Sequence, residues 1–589
     1  MTYRAPVADI VFALRNAAGF GPALAEGLYG DLADDVVEAV LAEAGKFADD
    51  ILSPLNVIGD RDGARFKDGV VTTAPGWKEA YRAWAQAGWN ALAAPTQWGG
   101  QDLPHALNAA CIEMWNSAAM AFGLGPVLTM AAVDALAAHG SEELKRAYLP
   151  KLVSGEWMGT MQLTEPQAGS DVGALRTKAE RAADGSYRIT GQKIFITYGE
   201  HDLTDNIIHM VLARLPDAPP GTKGISLFLI PKFLLNPDGS LGPRNDARAH
   251  SIEHKLGIHA SPTCTMVYGD HGGATGFLVG EENRGMACMF TMMNQARLSV
   301  ALQGVAIAER ATQQALAYAR ERKQGRTPGM PANQAAPIIV QPDVKRMLLT
   351  MRALTNAARA ICYATAVALD RSHRAVDAAA RQTAHERASL LTPIAKAFAT
   401  DVGSEVSSLG IQVHGGMGYI EETGAAQLYR DARIAQIYEG TNGIQAIDLV
   451  TRKLPLSGGA AVRAYLAELW RTVAEVEASN DPAFGATGTA LRAAVDAFGK
   501  TTEWLLERIE REPQTALAGA TPYLRLFASA AGGCLLAQDA LAAKRAGNPA
   551  HATETARFFA TNLATAAPGL ATTVIEGADA LAVDPDAIG

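Results

Sequence analysis

Apolar positions recur at steps of three and four from the start of the chain to about Lys151. Val36, Val37, Val40, Leu41 and Ala44 make one such stripe, and the spacing predicts an all-helical segment. From about Trp157 the period shortens. The runs YRITGQKIFITYG (187–199), NIIHMVLAR (206–214), GISLFLIPKFLL (224–235) and TCTMVYGD (263–270) are β-rich and bounded by Gly, Pro and Asp. No helix-length pattern separates them, which argues against βαβ units and a dinucleotide-binding Rossmann domain; a compact antiparallel sheet of roughly 120 residues is expected. After Gly285 the helical period returns. Leu298, Leu302, Val305, Ala308, Ala315 and Ala319 form one stripe, and Ile394, Phe398, Val402, Val406, Leu409 and Val413 another. Long amphipathic helices of this kind pack as a bundle. Between the stripes, KQGRTPGMPANQAAPIIVQPD (323–343) reads as a long functional, interfacial or mobile loop. After Leu454 an LPLSGGAAV linker leads into further helix and a loose AVDPDAIG tail. The fold class is therefore α+β, mostly α. Its expected units are a helical domain with an N-terminal extension (1–156), a middle β domain (157–284), a helical bundle (285–454) and an additional helical domain (455–589).

Ala118 to Val133 is almost continuously apolar but is interrupted by Gly123, Gly125 and Pro126. It falls short of the roughly 20 residues of a membrane span, so a buried helix pair or pocket wall is expected, and no membrane span. Length agrees with several folding units: 589 residues allow about four. With 48% hydrophobic and 19% charged residues the chain is globular. Its net charge of −9, without a long basic run, disfavours nucleic acid as a partner. The five cysteines have no CxxC spacing, so neither a metal site nor a disulfide framework is expected, and a reducing compartment is the simpler reading. The opening residues lack the pattern of a secretory signal.

Three strings carry candidate chemistry. In IYEGTNGIQ (437–445), Thr441 or Asn442 can cap a helix starting just after Gly440, with Asn442 and Gln445 at capping-box spacing. Glu439 then sits on a bend where free amides can meet an anionic group, and an apolar pocket could raise its pKa into the range of a general base. The plainer reading is a Glu that decorates a helix entrance. LTEPQAGSD (163–171) can hydrogen-bond a flat polar ligand edge, or be simply a turn-rich loop. QVHGGMGY (412–419) follows a helix rather than a strand, so a Gly helix stop is its natural reading and His414 is read as a structural or surface histidine rather than a ligand. GxSxG, HExxH and P-loop strings are absent.

Taken together and in this order, the strings resemble the acyl-CoA dehydrogenase family over roughly residues 60–455. LTEPQAGSD and KIFIT (193–197) resemble its flavin-facing segments; QVHGGMGY and RDARIAQIYEGTNGIQ (430–445) resemble its C-terminal signature. The N-terminal extension, KLGIHASPTC (255–264) and the residues after Leu454 resemble the family's enlarged subgroup. The resemblance implies a flavin enzyme that carries out α,β-dehydrogenation of an acyl-CoA, either 3-methylmercaptopropionyl-CoA or a fatty acyl-CoA, to the trans-2-enoyl-CoA. Dimethylsulfoniopropionate catabolism or fatty acid metabolism would be its setting.

By matching positions, Glu439 is the base. Other family members place the base just before the Arg matching Arg297, where this chain has Ala296. Leu163, Thr164, Gly169, Ser170, Phe195, Thr197 and Thr441 would contact FAD, and Ser170, Asn294, Arg297 and Gly440 would face the substrate. Arg297 could instead be an ordinary surface charge. Arg322, Gln412, Gly415 and Gly416 would reach the FAD of a neighbouring subunit, implying a homodimer or larger homo-oligomer. ERKQGRTP lacks the aromatic expected after Arg322. Gly123, Gly125 and Met130 would shape the acyl pocket. Electron-transferring flavoprotein is the implied acceptor and cytoplasmic the implied location. An acyl-CoA oxidase, or a nucleic-acid-binding flavoprotein of the same fold, is the alternative.

Overall fold

The computed structural model describes residues 3–588 apart from 332, 548 and 549, so Ala332 of the Pro-rich loop and the terminal Gly589 lie outside the described residues. Short helices at Val7–Arg15, Phe20–Ala25 and Asp34–Phe47 lead into one long helix, α1 (His105–His139). In the third of these, Val37, Leu41 and Ala44 are buried but Val36 is 43% exposed, so the apolar stripe is narrower than its sequence spacing implies.

Helix α1 corrects two expectations about the apolar stretch. Gly123, Gly125 and Pro126 do not interrupt it; the chain bends earlier, at Ala119 (φ −157°, ψ 89°). The carbonyls freed by the bend are caught by side chains. Arg310 Nη1 donates to Ser117 O at 3.0 Å and to Ala118 O, while Tyr198 Oη donates to Ala121 O at 2.8 Å and accepts from Trp77 Nε1 at 3.1 Å. The two glycines serve close packing rather than open pocket volume. A Cβ on Gly123 would stand 2.7 Å from Asn116 Oδ1, and one on Gly125 would stand 2.6 Å from Met158 Cε. Met130 does border a cavity, of about 10 Å³, lined also by Asn90, Asn108, Asp134 and Gln295.

At 35 residues, α1 is also long and apolar enough to cross a bilayer, as are Ala520–Arg545 and His551–Glu576. The rest of the protein buries 89%, 94% and 33% of their apolar windows respectively, so the first two are core helices.

The β unit comprises β1 (Met158–Gln162), β2 (Lys178–Arg181), β3 (Tyr187–Thr197), β4 (Ile207–Arg214), β5 (Ile225–Pro231), β6 (Ala247–Ile252), β7 (Thr263–Tyr268) and β8 (Ala274–Val279). The main sheet runs β6-β7-β3-β8-β5-β4-β1, with β2 against β3. It is not wholly antiparallel: β1 lies parallel to β4, Met158 opposite Ile207. Every residue of β1 is buried, which erases the alternation that marks a half-exposed strand.

The bundle consists of α2 (Gly285–Glu321), α3 (Pro342–Arg374) and α4 (Ala378–His414), packed on α1. Helices α2 and α4 cross at Gly304 and Gly403, where a Cβ on Gly403 would stand 2.9 Å from Gly304 O. Fully buried Arg359 joins three helices through Glu113 Oε1 (2.7 Å) and Glu309 Oε2 (2.8 Å). Lys323 and Pro337 bridge the base of the Pro-rich loop. Two short helices follow, α5 (Ala425–Ala432) and α6 (Asn442–Asp448). In the additional domain, α7 (Ala520–Arg545) packs on α3 and α6, with Gly532 against Ala357. The N-terminal extension reaches the same helix, Ala17 N donating to Asp539 Oδ1 at 3.0 Å.

Candidate active site

The segment between α5 and α6 makes a sharp turn. Tyr438 anchors it by donating its hydroxyl to Gln303 of α2. Glu439 (φ 57°) and Gly440 (φ 84°) then adopt consecutive left-handed conformations. For Glu439 this conformation costs about 1–2 kcal/mol, and it persists because the surroundings fix it. Gln445 Nε2 donates to Glu439 O and Gly440 O, both at 3.2 Å, and Lys396 Nζ donates to Gly440 O at 2.8 Å. With these carbonyls turned inward, the amide of Glu439 donates to nothing among the described residues.

Thr441 is the helix cap, its hydroxyl accepting from Ile444 N at 3.3 Å. The expected capping box does not form. Asn442 lies inside α6 and points to α4, where Nδ2 donates to Asp401 Oδ1 (2.7 Å) and Thr400 Oγ1 (3.0 Å) while Oδ1 accepts from Lys396 Nζ (2.9 Å).

Charge around the turn is unbalanced in a way that suits a base. Loss of water around half-buried Glu439 pushes its carboxyl up to about 7, against the opposing pull of Arg297 and Lys396. Arg297 is 5% exposed, which overturns the reading of a surface charge. Its Nη1 lies 3.6 Å from Asp448 Oδ2, its Nε is buried without a partner, and its Nη2 is 3.9 Å from where a Gly440 Cβ would sit. Burial lowers the Arg297 pKa, opposed by Asp448 and Glu439.

A second cluster surrounds Phe195. Between Lys193 and Ile196 the register of β3 against β7 shifts by one residue, and Phe195 occupies the bulge at φ 60°, with 60% of its surface exposed. Thr164 O accepts from Ile194 N at 3.0 Å, which brings LTEPQAGSD alongside this ring. The loop is shaped from below by Glu165, which accepts from Lys193 Nζ (2.8 Å), Thr177 Oγ1 (2.6 Å), Thr177 N (3.0 Å) and Arg176 N (2.7 Å). Burial opposes ionisation of Glu165, but Lys193 and these donors win and hold it at about 2. On Lys193 burial wins instead, lowering it to about 8. Lys193 Nζ also donates to Leu163 O at 3.0 Å. Gly169 and Ser170 are exposed, and nothing lies within 4 Å of a Cβ placed on Gly169; Thr197 is half-buried beside the bulge.

KLGIHASPTC ties the two clusters. Ile258 N donates to Asp431 Oδ1 at 2.5 Å, and the strand that follows pairs Thr263 with Thr197. Asn294, one turn before Arg297, is exposed. Arg322, Gln412, Gly415 and Gly416 gather elsewhere, exposed at the far end of the bundle where Tyr318 stacks on His414 at 4.4 Å. His414 Nδ1 lies 2.7 Å from Gly410 O, a structural role. At 1.5 Å per residue Gln412 lies about 24 Å along α4 from Lys396.

The architecture is thus a helical layer, a mixed sheet and a helical bundle, with a carboxylate flanked by two buried cations within the bundle. Family models match in the same order: acyl-CoA dehydrogenase N-terminal domain (36–156), middle domain (160–271) and C-terminal domain (283–454), then acetyl-CoA dehydrogenase C-terminal like (464–584). The chain is 47% identical to 3-methylmercaptopropionyl-CoA dehydrogenase of Ruegeria pomeroyi, over 92% of each chain. It is 35% identical to a butyryl-CoA dehydrogenase of Syntrophomonas wolfei, over 95% of this chain and 93% of that one. An acyl-CoA dehydrogenase of Bacillus anthracis, solved with FAD, shares the fold: TM-score 0.75, 19% identity, 95% and 90% covered. The chain belongs to the acyl-CoA dehydrogenase family and is an FAD-dependent oxidoreductase. The residues present fit a flavin: an uncovered aromatic face at Phe195 and open space above Gly169.

Sequence reasoning missed Lys396 and Glu165, and it read Gln445 as a capping-box partner where it in fact holds the Glu439 and Gly440 carbonyls. Lys396 left a signal, a lone cation inside the apolar stripe from Ile394 to Phe398. Glu165 and Lys193 left none, because 28 residues separate them.

Proposed function

We propose that the protein converts an acyl-CoA thioester to its trans-2-enoyl-CoA, with Glu439 as the base that takes the α-proton. FAD, when bound, accepts the β-hydrogen as hydride. Leu163, Thr164, Gly169, Ser170, Phe195, Thr197 and Thr441 would hold it. The observation that carries this reading is the Glu439 turn. A strained conformation, fixed by Gln445 and Lys396, leaves an amide free beside a carboxyl whose pKa sits near neutrality. That amide can donate to a thioester oxygen as negative charge builds there. Arg297 steadies the carboxylate once it is ionised.

Similarity to the Ruegeria enzyme supports 3-methylmercaptopropionyl-CoA as a substrate, and the Syntrophomonas relative supports short straight chains. A homodimer would bring Arg322, Gln412, Gly415 and Gly416 of one copy to the flavin of the other. Electrons would pass to electron-transferring flavoprotein, in the cytoplasm. The test is Glu439→Gln in the holoenzyme, assayed with both esters under anaerobic conditions. The variant keeps its FAD and loses about 10²–10⁴-fold in turnover. Turnover near the wild-type rate refutes Glu439 as the base.

A further inference from the structure

Lys396 enters the reaction as described only as one of two side chains that hold the turn, yet it is the cation most completely enclosed beside the base. It lies in the middle of α4 with no exposed surface. An ammonium withdrawn this far from water needs partners. Its hydrogen-bond partners are Gly440 O at 2.8 Å and Asn442 Oδ1 at 2.9 Å, one on each side of the Thr441 cap. Asn442 is in turn fixed to Thr400 and Asp401 of α4, so the lysine and the amide form one clamp on the start of α6.

We propose that Lys396 is the positioning residue of the base: it grips the Glu439–Gly440 turn from behind and keeps a compensating positive charge beside the Glu439 carboxylate. The inference rests on Glu439 being the base. Two arguments carry it. Gly440 O is the carbonyl that must point inward for the Glu439 amide to stay free, and Lys396 makes the shortest bond to it. The charges facing the site are also few. Glu439 is met by Arg297 of α2 and Lys396 of α4; Lys396 is met by Glu439, Asp401 and, repulsively, Arg297; Arg297 is met by Asp448 of α6, by Glu439 and, repulsively, by Arg452 just beyond α6. Asp448 shares Arg297 with Glu439 (3.6 Å) and lies 2.5 Å from Arg452 Nε, so Lys396 is a second cation for Glu439, held by its own set of hydrogen bonds. Burial lowers the lysine to about 7, opposed by Glu439 and Asp401, so its charge depends on that of its neighbours.

The proposal can be tested apart from turnover. (Methylthio)acetyl-CoA carries sulfur at its β position and has no β-hydrogen to lose, so exchange of its α-protons with D2O reports the base alone. In holoenzyme, Lys396→Met should retain FAD and move the pH midpoint of exchange up by about one unit. At pH 7 the exchange rate then falls about fivefold, and the deficit shrinks to less than twofold above about pH 9. Lys396→Gln, which keeps an N–H for Gly440 O, should show the same midpoint and a smaller deficit at high pH. If the Met variant does not fold, the Gln variant carries the midpoint test. An unmoved midpoint at equal FAD content, or a deficit uniform across pH, overturns the proposal. Glu439→Gln exchanging at the wild-type rate would instead remove the base assignment on which it rests.

Discussion

The bend at Ala119 leaves carbonyls without helical partners inside the protein, and Arg310 is the side chain that answers two of them. Replacing it with Met keeps the aliphatic bulk and strips donors from Ser117 O and Ala118 O. Each buried carbonyl so stripped costs about 1–3 kcal/mol. Part of that is offset because a charge leaves the interior: Arg310 is buried, and burial pulls its pKa down to about 10. A net loss of about 3 kcal/mol is expected, felt where α1 bends rather than across the whole chain. Hydrogen exchange followed by mass spectrometry over 117–123 reads that locality. Opening there should become roughly a hundredfold more frequent in Arg310→Met, while peptides from the β unit stay unchanged. Arg310→Lys, with one ammonium in place of a fork, should fall between. Exchange over 117–123 within threefold of wild type would show that the bend is held by packing alone, and the reasoning from donors would be wrong.

Glu439 makes function and stability oppose each other. Its folded pKa is raised to about 7, so relative to a neutral side chain its contribution is fully present below the unfolded carboxylate value and is lost as pH rises through about 7. Apo Glu439→Gln should therefore melt higher than wild type at pH 8 and match it at pH 4; equal melting at pH 8 refutes this. Gly440→Ala places a Cβ 2.7 Å from Gln445 Nε2 at φ 84°. It should lower kcat about tenfold and destabilise by about 1–2 kcal/mol, read by steady-state kinetics and thermal melting. Phe195→Gly separates backbone from ring: relief of the left-handed strain keeps or raises Tm, while loss of the aromatic face weakens FAD binding about tenfold by fluorescence titration.

Much of this was legible in the chain. The stripe from Leu298 to Ala319 is buried as its spacing requires, although from Ala296 to Thr312 the other faces of α2 are buried too, and the β-rich runs became β3, β4, β5 and β7. Strand β1 was hidden because both of its faces are covered, and α1 looked broken because glycines read as breakers when their role is to admit Asn116 and Met158. At the site, the bend and a cap at Thr441 were readable from local spacing. The partners that fix the bend were not: Lys396 approaches from another helix, and no periodicity records which carbonyl a distant ammonium will meet.

The bond between Ala17 and Asp539 joins positions 522 residues apart. A ribosome delivers the extension first and its partner last, at roughly 5–20 residues per second, so the extension waits about half a minute or more for its seat. During synthesis the helices that follow it must assemble before Ala17 N can meet Asp539 of α7. The clasp is thus a signature of completion. Chains that stop short of α7 leave the Ala17 amide without this partner, so the N-terminal end of an unfinished molecule is held less firmly than that of a finished one.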